Sequence, residues 1–150
     1  MFLKTLGCEP LVAAKGMINL GLLYNTRGNL LAQTGDIPGA KQVAIKAAKY
    51  LDEGKPSLEA LVAAGGADSQ VQDFLRQHRP LRLMSHRLLG QIYAGEGDLE
   101  ACEAEFRRAT ESFPDDSSAW QMLHRILEMR GKSEEAQGLM DKILALSSRK

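Results

Sequence analysis

A pattern of large and small residues occurs twice in the second half of this chain, at a spacing of 34 residues. His86, Leu89, Gly90 and Tyr93 are answered by Trp120, Leu123, His124 and Leu127, and Cys102, Phe106 and Ala109 by Ala136, Met140 and Ile143. A repeat constrains a fold more tightly than composition does, since a unit of about 34 residues holds two short helices and one turn. Such a hairpin cannot bury its apolar face alone, so neighbours must stack on it. Small residues such as Gly28, Gly90, Ala40 and Ala136 let the two helices of a unit approach, and Tyr24, Tyr93, Phe106 and Trp120 fill the gaps between units.

In the first copy, His86, Leu89, Gly90 and Tyr93 stand where a tetratricopeptide repeat has Trp-x2-Leu-Gly-x2-Tyr, and Cys102, Phe106, Ala109 and Pro114 complete its second half. The chain therefore resembles a tetratricopeptide-repeat protein. The resemblance implies an all-α fold, an α-solenoid of antiparallel helix hairpins wound as a right-handed superhelix, with about seven to eight helices. It also implies a non-catalytic scaffold or adaptor that binds a peptide or helix of a partner protein on its concave face.

Turn glycines extend the frame towards the N-terminus. Gly35-Asp36, Gly66-Ala67, Gly97-Asp98 and Gly131-Lys132 stand 31, 31 and 34 residues apart. Glycine ends a helix in the left-handed conformation at little cost, and Asp36, Asp98 and Ser133 suit the capping of the helix that follows. A single domain, 1–150, is expected, with repeats at about 21–52, 83–116 and 117–147 and, at 53–82, a degenerate repeat or else an irregular insertion. In the first, Tyr24, Gly28 and Leu31 hold the leading pattern, and a competing frame uses Leu20, Gly21 and Tyr24. The degenerate one contains Pro56, Gly65-Gly66 and Pro80, with short apolar faces at Leu58, Leu61, Val62 and at Val71, Phe74, Leu75, His78. Pro10 suits the first turn of the first helix, which leaves residues 1–9 as a short arm.

Nineteen basic and nineteen acidic side chains cancel, so no diffuse attraction to nucleic acid or to an anionic membrane is expected. Apolar residues at 44% and charged ones at 25% fit a soluble globular chain. The most apolar run, Leu11 to Leu31, is interrupted by Lys15, Asn19, Asn25 and Arg27, which excludes a spanning helix and argues against membrane insertion. Too few apolar residues precede Cys8 for a signal peptide, so a cytoplasmic location is expected. Two distant cysteines, Cys8 and Cys102, read as free thiols of a reducing compartment.

No catalytic or metal-binding residue and no cofactor emerge from the sequence. The histidines show no helical pair spacing for zinc; His86 and His124 fall at packing places, and His78 in a basic stretch is expected in solvent. Cys102 reads as a core thiol. No phosphate-binding loop or nucleophile elbow is present. The resemblance places Asn25, Asn29, Arg87, Gln91, Gln121 and Arg125 on the concave face, where their amide and guanidinium groups would hydrogen-bond peptide backbone and carboxylates. The carboxylate clamp of some family members is matched only in part. Asn29 keeps one asparagine and Arg87 one positive charge, but Asn25, Gln91 and Ser57 replace other clamp residues. Arg76, Arg79, Arg82 and Arg87 follow one another with no acid among them, as a basic stretch for an acidic partner segment. A partner protein of unknown identity is expected. A homodimer is the alternative, because Leu139, Ile143, Leu144 and Leu146 of the last helix have no following hairpin to cover them.

Overall fold

The structure is a computed structural model that describes residues 2–65 and 69–148. Within these residues the chain is all helix and turn: α1 (Phe2–Gln33), α2 (Ile37–Ala63), α3 (Ser69–Gly95), α4 (Leu99–Ser112), α5 (Ser117–Met129) and α6 (Ser133–Ser147). Six helices stand where seven to eight were expected, because 53–82 contains no hairpin of its own. Its first half continues α2 through Pro56, and its second half opens α3 and runs through Pro80. Proline's fixed φ is itself helical; what it removes is one N–H and the room beside the preceding turn. Two side chains bond backbone carbonyls in the same stretches of helix. His78 Nε2–H donates to the Leu51 carbonyl at 3.0 Å, and Asn25 Nδ2 donates to the Leu81 carbonyl at 2.8 Å. At the N-terminus α1 likewise runs through Pro10 back to Phe2, where an arm over residues 1–9 was expected.

Glycine marks every interhelical turn that was read from the sequence, with one shift. Gly35, Gly97 and Gly131 have φ of 90°, 79° and 75°. In the remaining turn the left-handed residue is Gly65, at 84°, and Gly66-Ala67 lies outside the described residues. Asp36 and Asp98 cap α2 and α4 by accepting from the backbone N–H of Gly39 and Ala101, each at 3.0 Å. Ser133 does not cap α6, since it is already the first helical residue. Asp116 performs the capping of α5, accepting from the N–H of Ser118 and Ala119.

Contacts divide the chain into two compact units, Met1–Ser85 and His86–Lys150. In the first, α1 and α2 pack as a long antiparallel pair with the N-terminal part of α3. Its core is Ala14, Ile18, Leu51, Leu58 and Val71, flanked by Leu11, Phe74 and Leu75. Gly21 is a point of close approach, because a methyl group there would lie 2.5 Å from Cγ and Cδ2 of Leu51. The Tyr24 and Tyr50 rings stack at 5.6 Å. The second unit comprises His86–Gly95 of α3 with α4, α5 and α6, around Cys102, Phe106, Leu123, Ile126, Leu127 and Ala136. All of these but Ile126 are repeat positions, so the periodic pattern and the core largely coincide.

Candidate functional site

The second unit holds a cleft between α3, α4 and α5. Its apolar floor is Gly90, Ala94, Cys102, Phe106 and Ile126; Arg87, Gln91, Met122, Arg125 and Met129 complete the lining, and the volume is about 170 Å³. The floor exists because Gly90 lacks a side chain. The Phe106 ring packs straight onto its α-carbon, where any Cβ would overlap Cζ and sit 2.5 Å from Cε1. Arg87 and Gln91, one helical turn apart on α3, are exposed, as is Arg125 on α5.

Three of the expected partner-binding residues, Arg87, Gln91 and Arg125, are thus brought together. Gln121 lies on a neighbouring depression between α5 and α6, with His124, Glu128, Met140 and Ile143, where Arg125 also borders. Asn25 and Asn29 belong to the other unit. Asn25 is fully buried, 0% exposed: besides its bond to Leu81, its Oδ1 accepts from Ser85 Oγ at 2.9 Å. Asn29 is half-buried and donates to the Asn25 carbonyl at 3.1 Å. An amide on α1 is needed inside because α3 presents a carbonyl and a hydroxyl to it, and burying these without partners costs about 1–3 kcal/mol each.

The remaining charges around the cleft are internally matched. Glu103, buried on α4, receives Arg107 from its own helix, Arg130 from the end of α5, and Lys132 at 3.1 Å. Arg107 also reaches Glu135 of α6 at 2.6 Å. Burial works to raise the Glu103 carboxyl, and the hydrogen bonds from Arg107, Arg130 and Lys132 outweigh it, holding the pKa at about 2. Glu105, also buried, accepts from His86 Nδ1–H at 2.8 Å and from Arg108 at 2.8 Å. His86 Nε2 is buried without a hydrogen-bond partner among the described residues. Burial, and then the charge of Glu105, pushes the Cys102 thiol up to about 11, so the floor cysteine is an apolar group rather than a nucleophile.

Sequence reasoning missed this network, although Glu103 and Arg107 stand at the i,i+4 spacing that signals a helical pair. It also missed Met122, Ile126 and Met129 as cleft residues, which nothing local distinguishes from ordinary core. His78, expected in solvent, is buried at 3% exposure. Nor does the basic stretch form one patch: Arg76 pairs with Asp73 and Arg82 with Asp52, leaving Arg87. On α6, Ile143 is buried and Leu144 is 61% exposed. Among the described residues, no helix is long and apolar enough to cross a membrane, and no cluster of His, Cys, Asp or Glu is placed to hold a metal ion.

Helical hairpins stacked on their neighbours are the architecture of helical-repeat proteins. Residues 84–126 match the sequence model of the tetratricopeptide repeat, a span that includes every cleft residue except Met129. That segment is similar to a tetratricopeptide repeat, a module generally used for protein–protein interaction. Among solved structures, two of MamA, one a point mutant, are similar at 17% and 15% identity. They cover 84% and 87% of this chain and 96% and 93% of their own, with TM-scores of 0.38 and 0.37. No curated protein matches the sequence.

Proposed function

We propose that this chain is a non-catalytic scaffold that binds a peptide or helix of a partner protein in the cleft between α3, α4 and α5. The observation that carries the reading is the convergence of Arg87, Gln91 and Arg125 on one apolar floor inside the repeat segment. Its volume, about 170 Å³, is below the roughly 300–1,000 Å³ of sites that enclose a whole small molecule, and it suits one large side chain of a longer ligand. The cytoplasm is the compartment that goes with this reading, and the buried free thiol of Cys102 supports it.

A photo-reactive amino acid placed at Gln91, and in a second variant at the exposed Gln137 of α6, tests the site in living cells. The reading expects one specific protein cross-linked from position 91 and not from 137. Equal cross-linking from both positions, or none from 91, removes the cleft as the docking site.

A further inference from the structure

The arginines of the second unit divide into two sets. Arg107, Arg108 and Arg130 are each held by a glutamate of α4. Arg87 and Arg125 make no ion pair or hydrogen bond among the described residues, and both border the same cleft. Acidic side chains are plentiful in this unit, yet Glu103 and Glu105 are buried and occupied by other cations. Two cations left unmatched on an apolar cleft create a local positive potential that attracts carboxylates and repels basic segments.

We infer that the cleft takes an acidic segment of a partner protein. One bulky apolar side chain seats on Phe106 and Ile126, and Asp or Glu side chains beside it meet Arg87 and Arg125. The inference rests on the reading of the cleft as a docking surface and adds the chemistry of its occupant. Guanidinium groups grip carboxylates through paired N–H donors, which fixes the segment's direction as well as its charge. The two guanidiniums come from different helices, so carboxylates on side chains flanking the apolar anchor reach both. Gln91, one turn from Arg87, offers an amide donor and acceptor to the N–H and C=O of a chain that passes across the cleft. Met122 and Met129 complete the apolar wall with side chains that adapt to the shape of the anchor.

Synthetic peptides with amidated C-termini test this, each with a central Leu flanked by Glu on both sides, by Lys on both sides, or by Glu with Ala in place of Leu. Affinity is read by fluorescence anisotropy, and location by the methyl resonances of Met122, Ile126 and Met129. The Glu-flanked Leu peptide is expected to bind at least tenfold more tightly than either control and to shift all three methyls. Charge reversal of both rim residues, Arg87→Glu with Arg125→Glu, should lower its affinity about tenfold or more and raise that of the Lys peptide. Methyl shifts with no preference for acid would overturn the inference and leave the docking cleft standing. Acid-selective binding that leaves the methyls unmoved would remove the cleft itself. Binding only by a free-acid peptide would replace side-chain carboxylates with a chain terminus, and no binding by the acidic peptide would end the proposal.

Discussion

Gly90 and Gly138 lie inside helices α3 and α6, and the same substitution should have opposite signs at the two. Replacing a helical glycine by alanine gains about 1 kcal/mol, because the unfolded chain loses freedom it no longer has to surrender. At Gly138 nothing lies within 4 Å of the added methyl, so Gly138→Ala should stabilise by about 0.5–1 kcal/mol. At Gly90 the methyl meets the far end of the Phe106 ring, which shares a core with Leu123, Ile126 and Ala94 and could give way only towards the cleft that it floors. Overpacking of that kind costs about 1–3 kcal/mol, which leaves Gly90→Ala destabilising by up to about 2 kcal/mol after the helix gain. Urea unfolding followed by far-UV circular dichroism measures both. A double variant with Phe106→Leu, whose side chain is shorter, should recover part of the loss and show a coupling of about 1 kcal/mol. If Gly90→Ala proved as stabilising as Gly138→Ala, the close approach of α3 and α4, and with it the floor of the cleft, would be refuted.

Other expectations concern the buried polar groups. Glu103→Gln removes one partner of a buried ion network, a change worth about 3–5 kcal/mol when the cations stay buried. Here the three cations reach solvent in part, so a loss of about 2 kcal/mol is expected in urea melts. The folded-state pKa of Glu103 lies below its ordinary 4.5, so its contribution is complete above that pH and fades as pH falls towards about 2. The Glu103→Gln melting curve should therefore be flatter than the wild type across this window. Burial lowers the pKa of His78, against the pull of its hydrogen bond to Leu51, so the fold favours the neutral ring. Stability should drop as pH falls below about 6.5, and a His78→Gln variant should lose that component of the thermal-denaturation pH profile. Asn25→Ala should cost about 1–3 kcal/mol by orphaning the groups on α3, while leaving peptide affinity at the cleft unchanged in the anisotropy titration. Alkylation of Cys102 by iodoacetamide at neutral pH should be slow and should accelerate on unfolding, since the thiol stays protonated in its buried site.

The repeat frame made Gly90 a point of helix approach, put Cys102 in the core and expected Arg87, Gln91 and Arg125 on one face, and the cleft gathers these residues; Phe106, expected between hairpins, packs on Gly90 within one. The frame expects a degenerate repeat over 53–82, whereas helix runs through both of its prolines, Pro56 and Pro80. Local rules assign Pro a helix boundary because of the lost N–H and the crowded preceding turn. They cannot register contacts from far along the chain, such as the bond of His78 to the Leu51 carbonyl 27 residues earlier in the same unit. The same blindness put Asn25 on a binding face: as a polar residue in a helical pattern it looked exposed, yet its partners stand 56 and 60 residues away.

Turns, caps and hairpin period were legible from the residues alone because each depends on near neighbours. A left-handed φ needs only a glycine, and a cap only an aspartate two or three positions before its N–H. Which polar groups are consumed inside and which are left for a partner depends on what another helix presents opposite them. Arg87 and Arg107 are the same residue type on similar helices; Glu103 and Glu135 engage one, and no described residue engages the other. That difference arises only when helices distant in sequence come together, and it is what gives the cleft its charge.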